Sequence, residues 1–279
     1  MTQIPQRSLR DGTSIPGIGF GTYPLQGEDA TSAVLAALEN GYRLIDTAVN
    51  YENEAAVGRA LAETPVHRSD IVVTTKLPGR HHGYQQTLDS FESSRAALGL
   101  DQIDLYLIHW PNPSVGRFVD AWRAMIDLQK DGRVRSIGVS NFTVDFLTRL
   151  AAETGVLPAV NQVEVHPYFP QEDLIAFHTK HDIVTEAWSP LGKRAAPYNE
   201  AVVVDIAHAH EVTPAQVVLR WHAQRGVVPI PKSQNPERQR ENLDVFGFSL
   251  SDEEIAAITA LGRPDGRLFG GDPNTHEEM

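Results

Sequence analysis

Residues 71–109, IVVTTKLPGRHHGYQQTLDSFESSRAALGLDQIDLYLIH, hold one complete strand–helix–strand unit. The runs 71–77 and 103–109 are apolar or β-branched at nearly every position, as parallel strands covered by helices on both faces must be. The stretch Tyr84–Leu98 between them has helical spacing, and Gly99 behind Ala96, Ala97 and Leu98 reads as a helix C-cap.

The same alternation extends in both directions. Further strands are predicted at 19–23, 43–47, 135–139, 159–165, Val184–Trp188 and 227–230. Helices are predicted at 29–39, 52–62, 116–130, 144–153, 171–180 and 201–210, with Asp131-Gly132 as a helix stop. Eight βα units in 279 residues, with no composition break or linker, favour an α/β fold closed into one (β/α)8 TIM barrel over an open doubly wound sheet. The expectation is a single domain over residues 1–279. Ahead of the first unit, 8–10 and 14–18 flank Asp11-Gly12-Thr13, a turn signal for a short N-terminal β-hairpin that could cap the barrel bottom. The last ten residues, GGDPNTHEEM, are polar and are expected to be loose.

Composition narrows the function. With 41% apolar and 22% charged residues the chain can bury a large core. A formal charge of −12 argues against a nucleic acid or an anionic membrane as partner, so any bound phosphate must meet a local basic patch. The absence of cysteine excludes disulfides, thiolate chemistry and Cys-ligated zinc. No secretory h-region and no 18-residue apolar run is visible, so a cytoplasmic protein, taken as a monomer, is the expectation.

Chemistry gathers at strand ends. Asp46 closes Arg43-Leu44-Ile45, Lys76 closes IVVTT, and His109 closes LYLI. In a parallel barrel all three would reach the C-terminal face, where barrel enzymes build their sites. Tyr51 follows Asp46 by five residues and could sit on the same rim. A lone Asp, Lys or His there is commonly just solvated. Lys76 is harder to dismiss, since an ammonium in an apolar run needs an anion, and Asp46 on the neighbouring strand offers one. A lysine beside Tyr51 would favour the phenolate and lower the tyrosine pKa, making it a usable general acid, and His109 could orient a substrate carbonyl.

With these residues in place, the chain resembles the aldo-keto reductases. Asp46-Thr47-Ala48, Tyr51, Asn53-Glu54 and Gly58 match the family pattern DTAxxYxNExxxG. Lys76-Leu77, Ile108-His109-Trp110-Pro111, Gly138-Val139-Ser140-Asn141-Phe142, Asn161-Gln162-Val163-Glu164 and Ile230-Pro231-Lys232-Ser233, continued by Arg238 and Glu241-Asn242, follow in order. The short segments after His109 and Trp188 are similar to bacterial 2,5-diketo-D-gluconate reductase-like members.

The resemblance implies an oxidoreductase that binds NADPH at the barrel top. Gly17-Ile18-Gly19-Phe20-Gly21 is no dinucleotide fingerprint, because Thr22 and Pro24 stand where a third glycine should fall. Carried over, Ser140, Asn141 and Gln162 would hold the nicotinamide carboxamide and Trp188 would stack on the ring, although Asn141 could equally cap a helix and Trp188 belong to the core. Ser189 and Leu191 resemble pyrophosphate contacts, and Glu241 and Asn242 adenine contacts. Lys232, Ser233 and Arg238 form a basic patch suited to the 2′-phosphate.

The implied reaction reduces aldehydes, ketones and α-dicarbonyls to alcohols, with Asp46, Tyr51, Lys76 and His109 as catalytic residues. Tyr23 and Trp110 would line the pocket for small carbonyl substrates, and Pro78 replaces a common aromatic. His81-His82, His178/His181 and His208/His210 diverge or lack a carboxylate, so no metal is expected. Two alternatives stay open: an NADPH-binding sensor or accessory subunit with little turnover, and a lyase or isomerase sharing only the fold.

Overall fold

The computed structural model describes residues 3–278. Eight parallel strands form the barrel: β3 (Phe20–Gly21), β4 (Leu44–Asp46), β5 (Val72–Leu77), β6 (Ile103–Ile108), β7 (Val134–Ser140), β8 (Val160–Glu164), β9 (Val184–Trp188) and β10 (Val228–Ile230). Each pairs with the next in chain order, and backbone bonds from Gly19 N to Pro229 O and Gly21 N to Pro231 O, both 3.0 Å, close the ring between β3 and β10. The hairpin is β1 (Gln6–Ser8) with β2 (Ser14–Pro16), slightly offset from its predicted edges.

Closure depends on small residues where strands crowd. A Cβ on Gly19 would lie 2.7 Å from the Ile230 side chain and 2.9 Å from that of Leu44, so any larger residue would have to push these packed side chains aside. Inside the barrel Leu44, Leu105, Leu107, Val160, Val228 and Ile230 pack with Leu9 and Ile15 of the hairpin segment, which therefore plugs the bottom. The opposite faces of the strands pack against the outer helices, among them α1 (Gly27–Asn40), α2 (Glu54–Glu63), α3 (Tyr84–Leu98) and α4 (Phe118–Lys130). Gly99 caps α3 in the left-handed region, as the sequence indicated. The helices α5 (Val144–Thr154), α6 (Glu172–Lys180) and α7 (Ala201–Ala209) lie where periodicity placed them. Three more follow, α8 (Pro214–Gln224), α9 (Pro236–Leu243) and α10 (Asp252–Thr259). No helix among the described residues is long and apolar enough to cross a membrane.

The tail departs from expectation. Rather than hanging loose, residues 270–278 fold across the C-terminal face of the barrel, because their polar groups find partners there. Met279 lies outside the described residues.

Candidate active site

Parity along the strands aims the site. Asp46 pairs in register with Thr74, and Lys76 with Leu107 of the barrel interior. Since alternate residues share a face, Asp46, Lys76, Gln162 and Glu186 all project inward above the apolar layers. His109 lies one step past β6, where its backbone N still bonds Leu77 O at 3.0 Å.

Tyr51 ends a short 3-10 turn, Val49–Tyr51, and the turn is locked by the rest of its motif. Asn53 is buried, accepts from Thr47 Oγ1 at 2.5 Å and donates to Leu25 O at 2.8 Å. Buried Glu54 accepts from Thr75 Oγ1 at 2.6 Å. A Cβ on Gly58 would meet the carbonyl oxygens of Ala97 and Leu98 at 2.8 Å, so glycine lets α2 lie against the end of α3.

Lys76 is fully buried, and its Nζ donates to both Asp46 oxygens at 2.7 Å, to Thr47 O at 3.0 Å and to Tyr51 Oη at 3.3 Å. Burial disfavours the ammonium, but Asp46 and Tyr51 outweigh it and hold the Lys76 pKa above its ordinary value. For Tyr51 the expectation of a lowered pKa is corrected. Burial dominates and pushes the phenol up to about 12, against the opposing pull of Lys76, with Asp46 and Glu278 adding to the rise. The hydroxyl therefore keeps its proton throughout the neutral range, as a proton donor must.

Aromatic rings frame this cluster. Tyr51 packs at 5.1 Å from Tyr23 and edge-on at 5.7 Å from His109. Tyr23 is half exposed, and Pro78 is buried. Trp110 is covered by His276, with ring centroids 4.2 Å apart, and by Gly271. The tail also delivers Glu278, whose Oε1 lies 2.7 Å from His109 Nδ1 and accepts from Asn50 Nδ2 at 2.6 Å, while Asn112 Nδ2 donates to its backbone oxygen at 2.5 Å. Burial would raise the Glu278 pKa, but His109, Asn50 and the Gly79 backbone together bring it below the usual carboxylate range.

The residues assigned to the cofactor occupy the same face. Ser140 Oγ donates to Gln162 O at 2.7 Å. Asn141, in the left-handed region, donates to His109 O at 3.0 Å and to Ser140 Oγ at 3.1 Å, and accepts from Trp188 Nε1 at 2.8 Å. The Trp188 ring is thus fixed but only half-buried, which leaves part of its surface for a planar partner. Ser189 and Leu191 follow in a partly exposed loop. Lys232 and Ser233 precede α9, Arg238 lies in its first turn and Glu241 in its last, with both cations exposed and in no ion pair among the described residues. Asn242 is buried beside the Tyr42 hydroxyl. A clamped indole, inward-facing amides and two free cations near a helix N-terminus suit a phosphorylated dinucleotide.

Sequence reading missed Glu186, Glu278, Lys193 and Phe269. Lys193 Nζ lies 5.1 Å from the Tyr23 ring and 4.7 Å from the Phe269 ring, and it feels the charge of Lys232. Inward parity was the available signal for Glu186; no local pattern announces the other three.

Comparison with known proteins decides the family. The model of the Aldo/keto reductase family matches residues 17–263. The chain is an aldo-keto reductase. It is 57% identical, over the whole of both chains, to 2,5-diketo-D-gluconic acid reductase B of Corynebacterium sp. (strain SHS752001). A solved mutant of Gox0644 in complex with NADPH superposes with a TM-score of 0.94 at 45% identity, covering 99% of this chain and all of that one. A Bombyx mori aldo-keto reductase in complex with NADP gives 0.88 at 36%, covering 94% of each. This reductase is therefore an NADP-dependent oxidoreductase acting on carbonyl groups, with the (β/α)8 fold and NADPH cofactor expected of it.

Proposed function

We propose that this reductase, as one barrel domain, reduces small aldehydes, ketones and α-dicarbonyls, with Tyr51 as proton donor and Asp46, Lys76 and His109 as its catalytic partners. The observation that carries this is the Lys76 ammonium, held by both Asp46 oxygens and 3.3 Å from Tyr51 Oη. NADPH, when bound, supplies hydride to the carbonyl carbon. Tyr51 gives its proton to the carbonyl oxygen as charge develops there, and the product is the alcohol. Lys76 keeps a positive charge next to the phenolate that remains, and Asp46 keeps that charge tolerable in the barrel interior. His109 orients the oxygen, with Trp110 and Tyr23 as flanking walls.

Gln162, Asn141, Ser140 and Trp188 would seat the nicotinamide, Ser189 and Leu191 the pyrophosphate, and Glu241 and Asn242 the adenine. Lys232, Ser233 and Arg238 would hold the 2′-phosphate and so select NADPH over NADH. The corynebacterial relative's name supports adding diketo sugar acids to the substrate class.

The test is NADPH oxidation with methylglyoxal, phenylglyoxal and 2,5-diketo-D-gluconate. Tyr51→Phe is expected to abolish turnover while NADPH binding persists. Retained turnover in that variant would reassign the proton donor, and no turnover by the wild type on any of these carbonyls would refute the substrate class.

A further inference from the structure

The barrel interior also holds a carboxylate that the proton-donating group does not require. Glu186, on β9, is fully buried and stands in register with Gln162 on β8. The Gln162 Nε2 amide lies 2.8 Å from Asp46 Oδ2 and 2.8 Å from Glu186 Oε2, so it spans the two acids. An amide nitrogen carries two hydrogens, and an ionised carboxylate only accepts. Both hydrogens are therefore committed, and the carbonyl end of Gln162 is left as a pure acceptor. Rotating the amide would turn that oxygen against Asp46 and forfeit the bond there.

We propose that Glu186 is a positioning residue, which with Asp46 fixes the Gln162 amide so that its carbonyl oxygen is presented to the carboxamide N–H of the nicotinamide. The inference rests on the cofactor role given above to Gln162. It goes further in assigning the orientation of that side chain to a pair of acids on different strands.

Protonation of Glu186 does not undo the arrangement. Burial, reinforced by Asp46, pushes its pKa up to about 7, with Gln162 and Lys76 pulling the other way. The oxygen facing Gln162 accepts in either form, and a proton has a place on Oε1, which has no hydrogen-bond partner among the described residues. The neighbouring strand β10 presents Val228 and Ile230, which are apolar; the charged groups that act on Glu186 are Asp46 and Lys76, while Glu164, two residues beyond Gln162, stands in register with Trp188 instead. A carboxylic acid retained at such a desolvation cost, with one oxygen aimed at a single amide, is accounted for by what it does to that amide.

The experiment titrates NADPH into wild type, Glu186→Gln and Glu186→Leu, following protein fluorescence, so the readout does not depend on turnover. Glu186→Gln keeps an accepting oxygen and is expected to bind within about threefold of wild type, whereas Glu186→Leu loses about tenfold, the scale of one hydrogen bond. In a Gln162→Leu background, Glu186→Leu should cost nothing further, because the side chain it orients is gone. If the leucine variant fails to fold, Glu186→Thr takes its place in both comparisons. Wild-type affinity in Glu186→Leu, or equal losses for Leu and Gln, would overturn the proposal. Equal losses with and without Gln162 would do so as well. A wild type that binds NADPH but turns over none of the carbonyls tested would count against the substrate reading, not against this one.

Discussion

Asp46→Asn leaves Lys76 buried with no full counter-charge in contact. The ammonium has both Asp46 oxygens at 2.7 Å and is itself shielded from solvent, so this is the loss of one partner from a buried pair. Such losses cost about 3–5 kcal/mol. Two features pull the cost toward the lower end. Thr47 O at 3.0 Å and Tyr51 Oη at 3.3 Å still accept from Nζ, and Glu186, no longer facing the Asp46 charge, can ionise and offset part of the deficit. We expect a loss of about 3 kcal/mol, or a melting temperature lower by about 6–10 °C for a domain of this size. Adding Glu186→Gln should deepen the loss. Adding Lys76→Met instead should recover most of the stability, since a neutral pair needs no compensation, yet turnover should be abolished because Tyr51 has lost its cation. Thermal melts and NADPH oxidation measured on the same four proteins check this. An Asp46→Asn protein that melts with wild type, or a Lys76→Met double variant that turns over normally, would refute the reasoning.

Other outcomes follow from the same geometry. Glu278→Ala removes the carboxylate 2.7 Å from His109 Nδ1 and should lower kcat about fivefold, the scale of one close polar contact, while Glu278→Gln keeps most of the rate; an unchanged or faster Glu278→Ala enzyme would make the tail an obstacle rather than a support. Lys232→Ala and Arg238→Ala should each raise the Kd for NADPH about tenfold and leave that for NADH unaltered, as binding titrations would show. The Glu186 pKa is raised from 4.5 to about 7, so the fold holds a proton that the unfolded chain releases. That contribution is fully present below pH 4.5 and is lost as pH rises through about 7, a difference of about 3 kcal/mol. Glu186→Gln should therefore gain stability relative to wild type across this window, and parallel denaturation curves for the two proteins would contradict the assignment.

Much of this was legible from residues 71–109 and their echoes, because alternation and strand parity are local properties. Asp46, Lys76 and His109 could be set on one face before any distance was known, and the Asp46 partnership followed from the cost of burying Lys76. What escaped was non-local. Glu186 lies inside a short apolar strand, and its meaning comes from Gln162 and from Asp46 across the barrel. The Tyr51 pKa was misjudged because proximity to Lys76 is visible in a motif, whereas the depth of burial that outweighs it depends on the whole fold. The tail read as loose because GGDPNTHEEM has no apolar period; its order is supplied by Trp110, Asn112, Ser114 and His109, all far away in sequence.

That docked tail has a practical side. The family match ends at residue 263, yet Glu278 reaches His109. The stretch that touches the pocket thus lies outside the stretch that supplies the barrel strands. Substitutions in these last residues would reshape the wall of the pocket without replacing a residue of any barrel strand, so we expect them to act on substrate choice more than on folding. The same holds at the bench: libraries confined to positions 270–278 would explore selectivity on an intact scaffold, and an affinity handle belongs at the opposite end of the chain, behind the hairpin.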